Sequence, residues 1–325
     1  MAHRIGNTDH SDLTAVSLFS SAGIGELGLH ACGMNILASN ELLADRHSLY
    51  AANFPETKCF GGDIWDVEPH LIDYVTQRCA NNELFMLYAT PPCQGMSSNG
   101  MGRLKHEIRT GTRSPVDQRN RLIIPTIRII KQLDPRWVLL ENVPGMARTE
   151  IEDDERRSVQ ILDYIEEQLG DRYTGHAQVL ACSDFGIPQT RKRLITIYTR
   201  DPIGIAFFND NGGTFFPITE YERPISLREA IGHLPPLDAR EGHSEAPEFH
   251  PLHRVPVMTK EKYWWISHTS EGNTAYNNQC VEPSCRFDGN PLHKDVKSGG
   301  RWQSNKETPI FCEKCGSLAN APILK

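Results

Sequence analysis

The apolar run at residues 84–89 stops on Thr90-Pro91-Pro92-Cys93, and that stop constrains the chain more than any other stretch. Six apolar residues in a row fit a strand buried on both faces of a parallel sheet. Two successive prolines fix φ at both positions and end the strand. The segment behind them, Gly95-Met96-Ser97-Ser98-Asn99-Gly100, cannot continue regular structure. Cys93 is thus held at the carboxyl end of a sheet strand, at the mouth of a loop, where nucleophiles stand. A small buried core residue is the other reading, since most free cysteines are that.

The rest of the chain narrows the choice. With 325 residues, 39% hydrophobic and 23% charged, it fits a globular protein of one large domain or two. No apolar run approaches the ~20 residues of a membrane span, and residues 1–14 lack the apolar core of a signal peptide. Five cysteines are scattered and four cluster near the end, which suits a reducing cytoplasm better than a disulfide framework. The expectation is a cytoplasmic protein, nucleoid-associated if bacterial, with no membrane partner. Net charge is -7, yet six Lys/Arg stand against two Asp/Glu between Met96 and Arg121. A basic loop of that kind can follow a phosphate backbone, and an ordinary solvated loop has the same composition.

In chain order, residues 15–20 read as a first strand, and the turn around Gly23 and Gly25 leads into an amphipathic helix. Strand, glycine turn and helix open the nucleotide-binding half of a doubly wound sheet, with free N–H groups for a ligand. Residues 35–39 read as a second strand ending on Asn40-Glu41, a carboxylate placed for both hydroxyls of a ribose. Gly61-Gly62-Asp63-Ile64 makes a third corner, with Asp63 available to an adenine amine. Three such corners predict an adenosine-containing cofactor without separating a nicotinamide from S-adenosylmethionine. Downstream, 122–133 has helical spacing, and 136–140 reads as a strand ending on Glu141-Asn142-Val143-Pro144-Gly145. Residues 154–169 read as a helix, and 175–181 with 194–198 as a hairpin. Taken alone, Arg193 beside a strand that ends on glutamate reads as a structural ion pair.

Four stretches then fall into one pattern. They are Phe19-Ser20-Ser21-Ala22-Gly23-Ile24-Gly25, Pro91-Pro92-Cys93-Gln94-Gly95, Glu141-Asn142-Val143 and Gln189-Thr190-Arg191-Lys192-Arg193. Their order and approximate spacing resemble those of the cytosine-5 methyltransferases, and the resemblance covers Ser17 to about Asp238. Ser21 stands where that family has glycine. The resemblance implies an α/β fold with a doubly wound, mostly parallel sheet of the S-adenosylmethionine-dependent methyltransferase type. It implies a DNA (cytosine-5)-methyltransferase in which the Cys93 thiolate adds to C6 of a cytosine flipped out of double-stranded DNA. Glu141 would serve ring N3, Arg193 the carbonyl O2, and Asn142 would brace the Pro-Pro-Cys corner. A free thiol of pKa ~8.5 is mostly protonated at neutral pH, so Cys93 needs a positive field from Arg193 and the basic loop. S-adenosylmethionine would lie over Phe19, next to Gly23, Gly25 and Pro92, with Glu41 on its ribose and Asp63 and Ile64 around its adenine. Gln94, Ser97, Arg103, Lys105 and Arg191 are the DNA contacts expected on the same ground.

Composition changes after Asp238: from Ala239 on, eleven Lys/Arg nearly balance ten Asp/Glu. The expected domains are 1–238, catalytic, and 239–325, a partial target-recognition region. Cys280 and Cys285, then Cys312 and Cys315 before Gly316, have the spacing of a zinc ribbon, with four reduced thiols as the alternative. Members of the family normally finish with a closing motif that completes the cofactor pocket. Nothing after Cys315 resembles it: the sequence is one part of a split enzyme, a truncated piece, or a protein that has dispensed with the segment. Of these, a second polypeptide supplying it is the expectation. Two other functions stay open. One branch of the family methylates tRNA with the same motifs, and a non-catalytic nucleic-acid-binding subunit would use only the zinc ribbon. Intact Cys93, Glu141 and Arg193 weigh against the second.

Overall fold

The computed structural model describes residues 13–79, 83–92, 118–216 and 223–267. Beyond these it describes 280, 282, 284–285, 287, 296–298, 301–303, 310–312 and 314–319. Cys93, Gln94, Ser97, Arg103 and Lys105 lie outside the described residues. The chain divides into two compact units, 1–230 and 231–325, a break slightly ahead of the composition change after Asp238.

The first unit begins β1 (Thr14–Leu18), α1 (Ile24–Ala31), β2 (Asn35–Glu41), α2 (Ala44–Asn53), β3 (Lys58–Gly61), α3 (Ile64–Arg78) and β4 (Met86–Ala89). It continues with α4 (Ile123–Leu133), β5 (Trp137–Asn142), β6 (Glu150–Glu152), β7 (Ser158–Gln160) and α5 (Ile161–Leu169). Last come β8 (Thr174–Ala181), β9 (Lys192–Thr199) and α6 (Pro202–Asp210). Seven strands form one sheet in the order β3-β2-β1-β4-β5-β9-β8. The first five are parallel, and β9 runs antiparallel between β5 and β8.

Strand residues alternate between two buried layers, as the pleat requires. Val16, Leu18, Leu87, Ala89, Val138 and Leu140 face α3, α4 and α5. Ala15, Ile36, Met86 and Tyr88 face Leu29 of α1, Tyr50 of α2 and Phe54 just beyond it. Helices therefore cover both faces, which is why β4 has no polar-faced alternation and β1 and β5 are mostly apolar. Helix α4 is buried nearly all round, with Ile123, Ile124, Ile127, Ile129 and Ile130 at 1% exposure or less.

Three sequence expectations need correction. β1 stops at Leu18, because Phe19 and Ser21 turn into positive φ (61° and 50°) and leave the strand direction. β5 runs on through Asn142, so Glu141 is held inside a strand and not beyond its end. The expected helix at 154–169 begins only at Ile161, and its first half belongs to the antiparallel ribbon β6–β7. The reason is local. The Asp153 carboxylate accepts the backbone N–H groups of Glu155 and Arg157 and the Arg157 guanidinium, while Arg156 turns to φ 64°. Such side-chain bonds to the backbone compete with a helix and win here.

Helix α7 (Leu227–Ile231) ends the first unit and reaches the boundary, and the second unit holds α8 (Lys260–Ser267) and two short antiparallel hairpins. These are β10 (Val296–Ser298) with β11 (Arg301–Gln303), and β12 (Ile310–Phe311) with β13 (Leu318–Ala319). Among its described residues only Ala246, Cys280 and Cys312 are buried apolar side chains. No helix among the described residues is long and apolar enough to cross a membrane.

Candidate active site

The chain leaves β1 toward β2 and β3, then returns to place β4 on the other side of β1. That reversal is a topological switch point, where doubly wound sheets open a crevice at the carboxyl ends of their strands. A cavity of about 790 Å³ lies there. Its wall takes Phe19 and Ser21 after β1, Glu41 at the end of β2, Asp63 to Trp65 after β3, Thr90 to Pro92 after β4, and Glu141 on β5. Arg193 joins from β9, whose antiparallel course brings its first residues to the same edge.

At one end stands Glu41, only 6% exposed. Its Oε2 accepts the N–H of Ser21 and its Oε1 that of Leu43, both at 2.8 Å. Each oxygen keeps a lone pair for a further donor, so the group is a fixed double acceptor. Asn40 beside it is buried and donates Nδ2 to the carbonyls of Phe60 and Gly62, tying β2 to the next corner. Asp63 caps α3 by accepting the Trp65 N–H at 3.1 Å. Leu42, Leu43, Ile64 and Trp65 give this end its apolar walls.

At the other end Glu141 and Arg193 form an ion pair, Nε to Oε1 at 2.6 Å, with side-chain exposures of 31% and 18%. Arg193 also donates Nη1 to the Lys192 carbonyl, which fixes the fork of the guanidinium. Asn142, buried at 3%, donates Nδ2 to the Pro91 carbonyl and accepts the Val143 N–H. The corner ahead of Cys93 is further pinned by Thr90, which donates its hydroxyl to the Phe19 carbonyl and its N–H to that of Leu18. Arg191 also lines the cavity and is exposed.

Gly23 and Gly25 do not line the cavity. A side chain on Gly23 (φ 89°) would strike the Phe54 ring at 2.2 Å, and one on Gly25 the Tyr88 hydroxyl at 2.5 Å. Packing of α1 against the sheet explains both glycines, and the absence of a side chain there serves helix placement. Beneath the turn, Ser17 donates a short hydrogen bond to Glu26, which is 1% exposed. Burial pushes that carboxyl above the ordinary glutamate range. Neither this pair nor Asn40, Leu43 and Trp65 was expected; only their position next to strand ends could have pointed to them.

In the second unit the Sγ atoms of Cys280, Cys285, Cys312 and Cys315 lie within 4.8 Å of one another. Cys280 and Cys315 are 3.5 Å apart and Cys285 and Cys312 3.7 Å apart. A tetrahedral zinc with four sulfurs at ~2.3 Å needs edges of about 3.8 Å, so the cluster fits such an ion. Gly316 (φ 72°) closes the second knuckle by donating its N–H to the Cys312 carbonyl.

The mostly parallel sheet with helices on both faces matches the fold of the S-adenosylmethionine-dependent methyltransferases. The chain belongs to the C-5 cytosine-specific DNA methylase family, whose model matches residues 13–290, and its class is therefore that of the DNA cytosine methyltransferases. It is 33% identical over 267 residues to the Type II methyltransferase M1.HgaI of Avibacterium volantium, covering 82% of this chain and 68% of the relative. It is 30% identical over 301 residues to the Type II methyltransferase M1.HphI of Haemophilus parahaemolyticus, covering 92% and 70%. Among solved structures, a DNA modification methyltransferase encoded within an E. coli prophage has a TM-score of 0.50 at 21% identity. The match covers 70% of this chain and 57% of that one, and it concerns the fold alone. None of these findings supports the second polypeptide expected above.

Proposed function

We propose that the protein transfers a methyl group from S-adenosylmethionine to C5 of a cytosine flipped out of double-stranded DNA, with Cys93 as the covalent nucleophile. One observation carries this reading: a single cavity at the switch point joins a fixed double-acceptor carboxylate to a carboxylate–guanidinium pair, at the corner that leads into Cys93. A bound S-adenosylmethionine supplies an electrophilic methyl. Glu41 would accept from its ribose hydroxyls, Asp63 would face its adenine amine beside Ile64, and Phe19 and Pro92 would wall its middle.

The remaining chemistry belongs to side chains of this chain. The Cys93 thiolate adds to C6 of cytosine, and Glu141 holds or protonates ring N3, relieving the charge that builds there. Arg193 holds Glu141 and reaches toward O2. C5 then takes the methyl, loses its proton to a base, and the thiolate leaves with the electrons of the C6–S bond. Asn142 braces the Pro91 carbonyl, two residues ahead of Cys93 in the sequence. Gln94, Ser97, Arg103, Lys105 and Arg191 would follow the DNA backbone around the flipped nucleotide. The family's description, which names DNA, favours DNA over tRNA as substrate. Labelled methyl should pass from S-adenosylmethionine to duplex DNA, and digestion should recover it as 5-methylcytosine. Transfer to tRNA alone would overturn the substrate.

The four late cysteines would hold one structural zinc ion and make a small zinc-ribbon module. The scarcity of buried apolar side chains among the described residues of this unit supports that role, because metal binding can fold a segment that burial cannot. Metal analysis should find about one zinc per chain. Cys312→Ser should lose it and loosen the second unit while the sheet stays folded. A zinc-free chain with full DNA affinity would dismiss the module's role.

A further inference from the structure

We infer that Arg46 is a further cofactor-binding residue, donating to the ribose hydroxyl oxygens across from Glu41. The inference rests on S-adenosylmethionine occupying the cavity, and it adds a residue that the sequence motifs do not contain. Arg46 lies in the first turns of α2, five residues beyond Glu41, and its side chain lines the cavity. Among the described residues no carboxylate pairs with it.

The ordinary fate of a surface helix arginine is an ion pair three or four residues away. Here those positions are Leu42, Leu43, Leu49 and Tyr50, none of which carries charge at neutral pH. The neighbouring Asp45 does not serve either, because its Oδ1 accepts the Arg46 backbone N–H at 2.9 Å. Arg46 is thus left exposed and lines the same cavity as Glu41, Leu42 and Leu43.

The two side chains are chemically complementary toward a vicinal diol. Glu41 already accepts two backbone N–H groups and presents acceptor oxygens to a diol, so it would accept from the two hydroxyls. The hydroxyl oxygens then keep lone pairs that need donors. A guanidinium offers a planar fork of N–H groups matched to two adjacent oxygens. Acceptor on one side and donor on the other read both halves of each hydroxyl, which a lone carboxylate cannot do.

Calorimetric titration with S-adenosylhomocysteine and with its analogue lacking both ribose hydroxyls tests this on the full chain. Arg46→Ala should weaken S-adenosylhomocysteine roughly tenfold, the size of one charge-assisted hydrogen bond. The analogue should bind wild type and variant within about twofold of each other, since it has nothing for Arg46 to contact. Arg46→Lys, which keeps the charge and loses the fork, should fall between. Equal weakening of both ligands, or none, would overturn the diol contact while leaving the cofactor reading intact. A reduced DNA affinity with unchanged S-adenosylhomocysteine affinity would assign Arg46 to phosphate and overturn it as well. A wild type that binds no S-adenosylhomocysteine would remove the cofactor reading and this inference together.

Discussion

Glu41 and Glu141 are both glutamates at the carboxyl ends of parallel strands, both lining one cavity, yet their surroundings differ. Glu41 is buried, and each of its oxygens is held by a backbone N–H. Glu141 is about a third exposed and leans on one side chain, Arg193. On the proposed reading, a carboxylate fixed by backbone donors suits a ligand that is only held, and one held by a single side chain can exchange that partner as charge moves through a base. The two sites would then divide holding from chemistry by the kind of donor that meets each carboxylate.

Breaking that comparison should produce opposite defects. Glu141→Gln should lower kcat by about 10²–10⁴, the usual worth of a positioned proton donor, and leave S-adenosylhomocysteine affinity unchanged. Glu41→Ala should weaken S-adenosylhomocysteine by roughly 10–100-fold through the loss of two hydroxyl contacts, with a smaller effect on kcat at saturation. Single-turnover kinetics beside calorimetry would read both. If the two variants share one defect, the division of labour is wrong.

Much of the site was legible because its corners are written in backbone chemistry. Pro91-Pro92, Gly61-Gly62 and Pro144-Gly145 end strands wherever they occur, and a carboxylate next to such an end is visible in the chain itself. What was not legible depends on partners far away in sequence. Asn40 matters through the Phe60 and Gly62 carbonyls, and Gly25 through the Tyr88 hydroxyl. Val159, Leu162, Ile165 and Leu169 have helical spacing and carry the expected helix back to 154. Residues up to 160 nevertheless form a ribbon, because Asp153 spends its oxygens on the turn. Arg46 escaped notice because its meaning lies in the absence of a neighbour at the usual intrahelical spacing.

The turn that serves Glu41 offers a finer test. Ser21 holds φ at 50° so that its N–H can reach Glu41, a conformation that costs a residue with a side chain about 1–2 kcal/mol. Ser21→Gly should therefore raise the unfolding free energy by up to about 1 kcal/mol, after the entropy that glycine adds to the unfolded chain. Thermal melts should show the gain, and cofactor affinity should hold. A loss of stability would mean that the serine side chain does something the backbone does not.

The smallest effect concerns the buried Glu26 beneath the same turn. Its carboxyl is raised by burial, so its neutral form is favoured in the folded state. That contribution is fully present below the ordinary glutamate range and is lost as pH rises through the raised folded-state value. Glu26→Gln should flatten the decline in stability over that interval, as denaturant melts at stepped pH would reveal. An unchanged slope would show that Glu26 is already ionised in the fold.

The central claim is that Cys93, at the end of the corner pinned by Asn142 and Thr90, bonds covalently to cytosine. Incubation with S-adenosylmethionine and duplex DNA carrying 5-fluorocytosine blocks loss of the C5 substituent and traps the adduct. The wild type should give a denaturation-resistant protein–DNA band whose digested peptide carries the nucleotide on Cys93, and Cys93→Ser should give none. A Cys93→Ser variant that forms the band as well as the wild type would contradict the account.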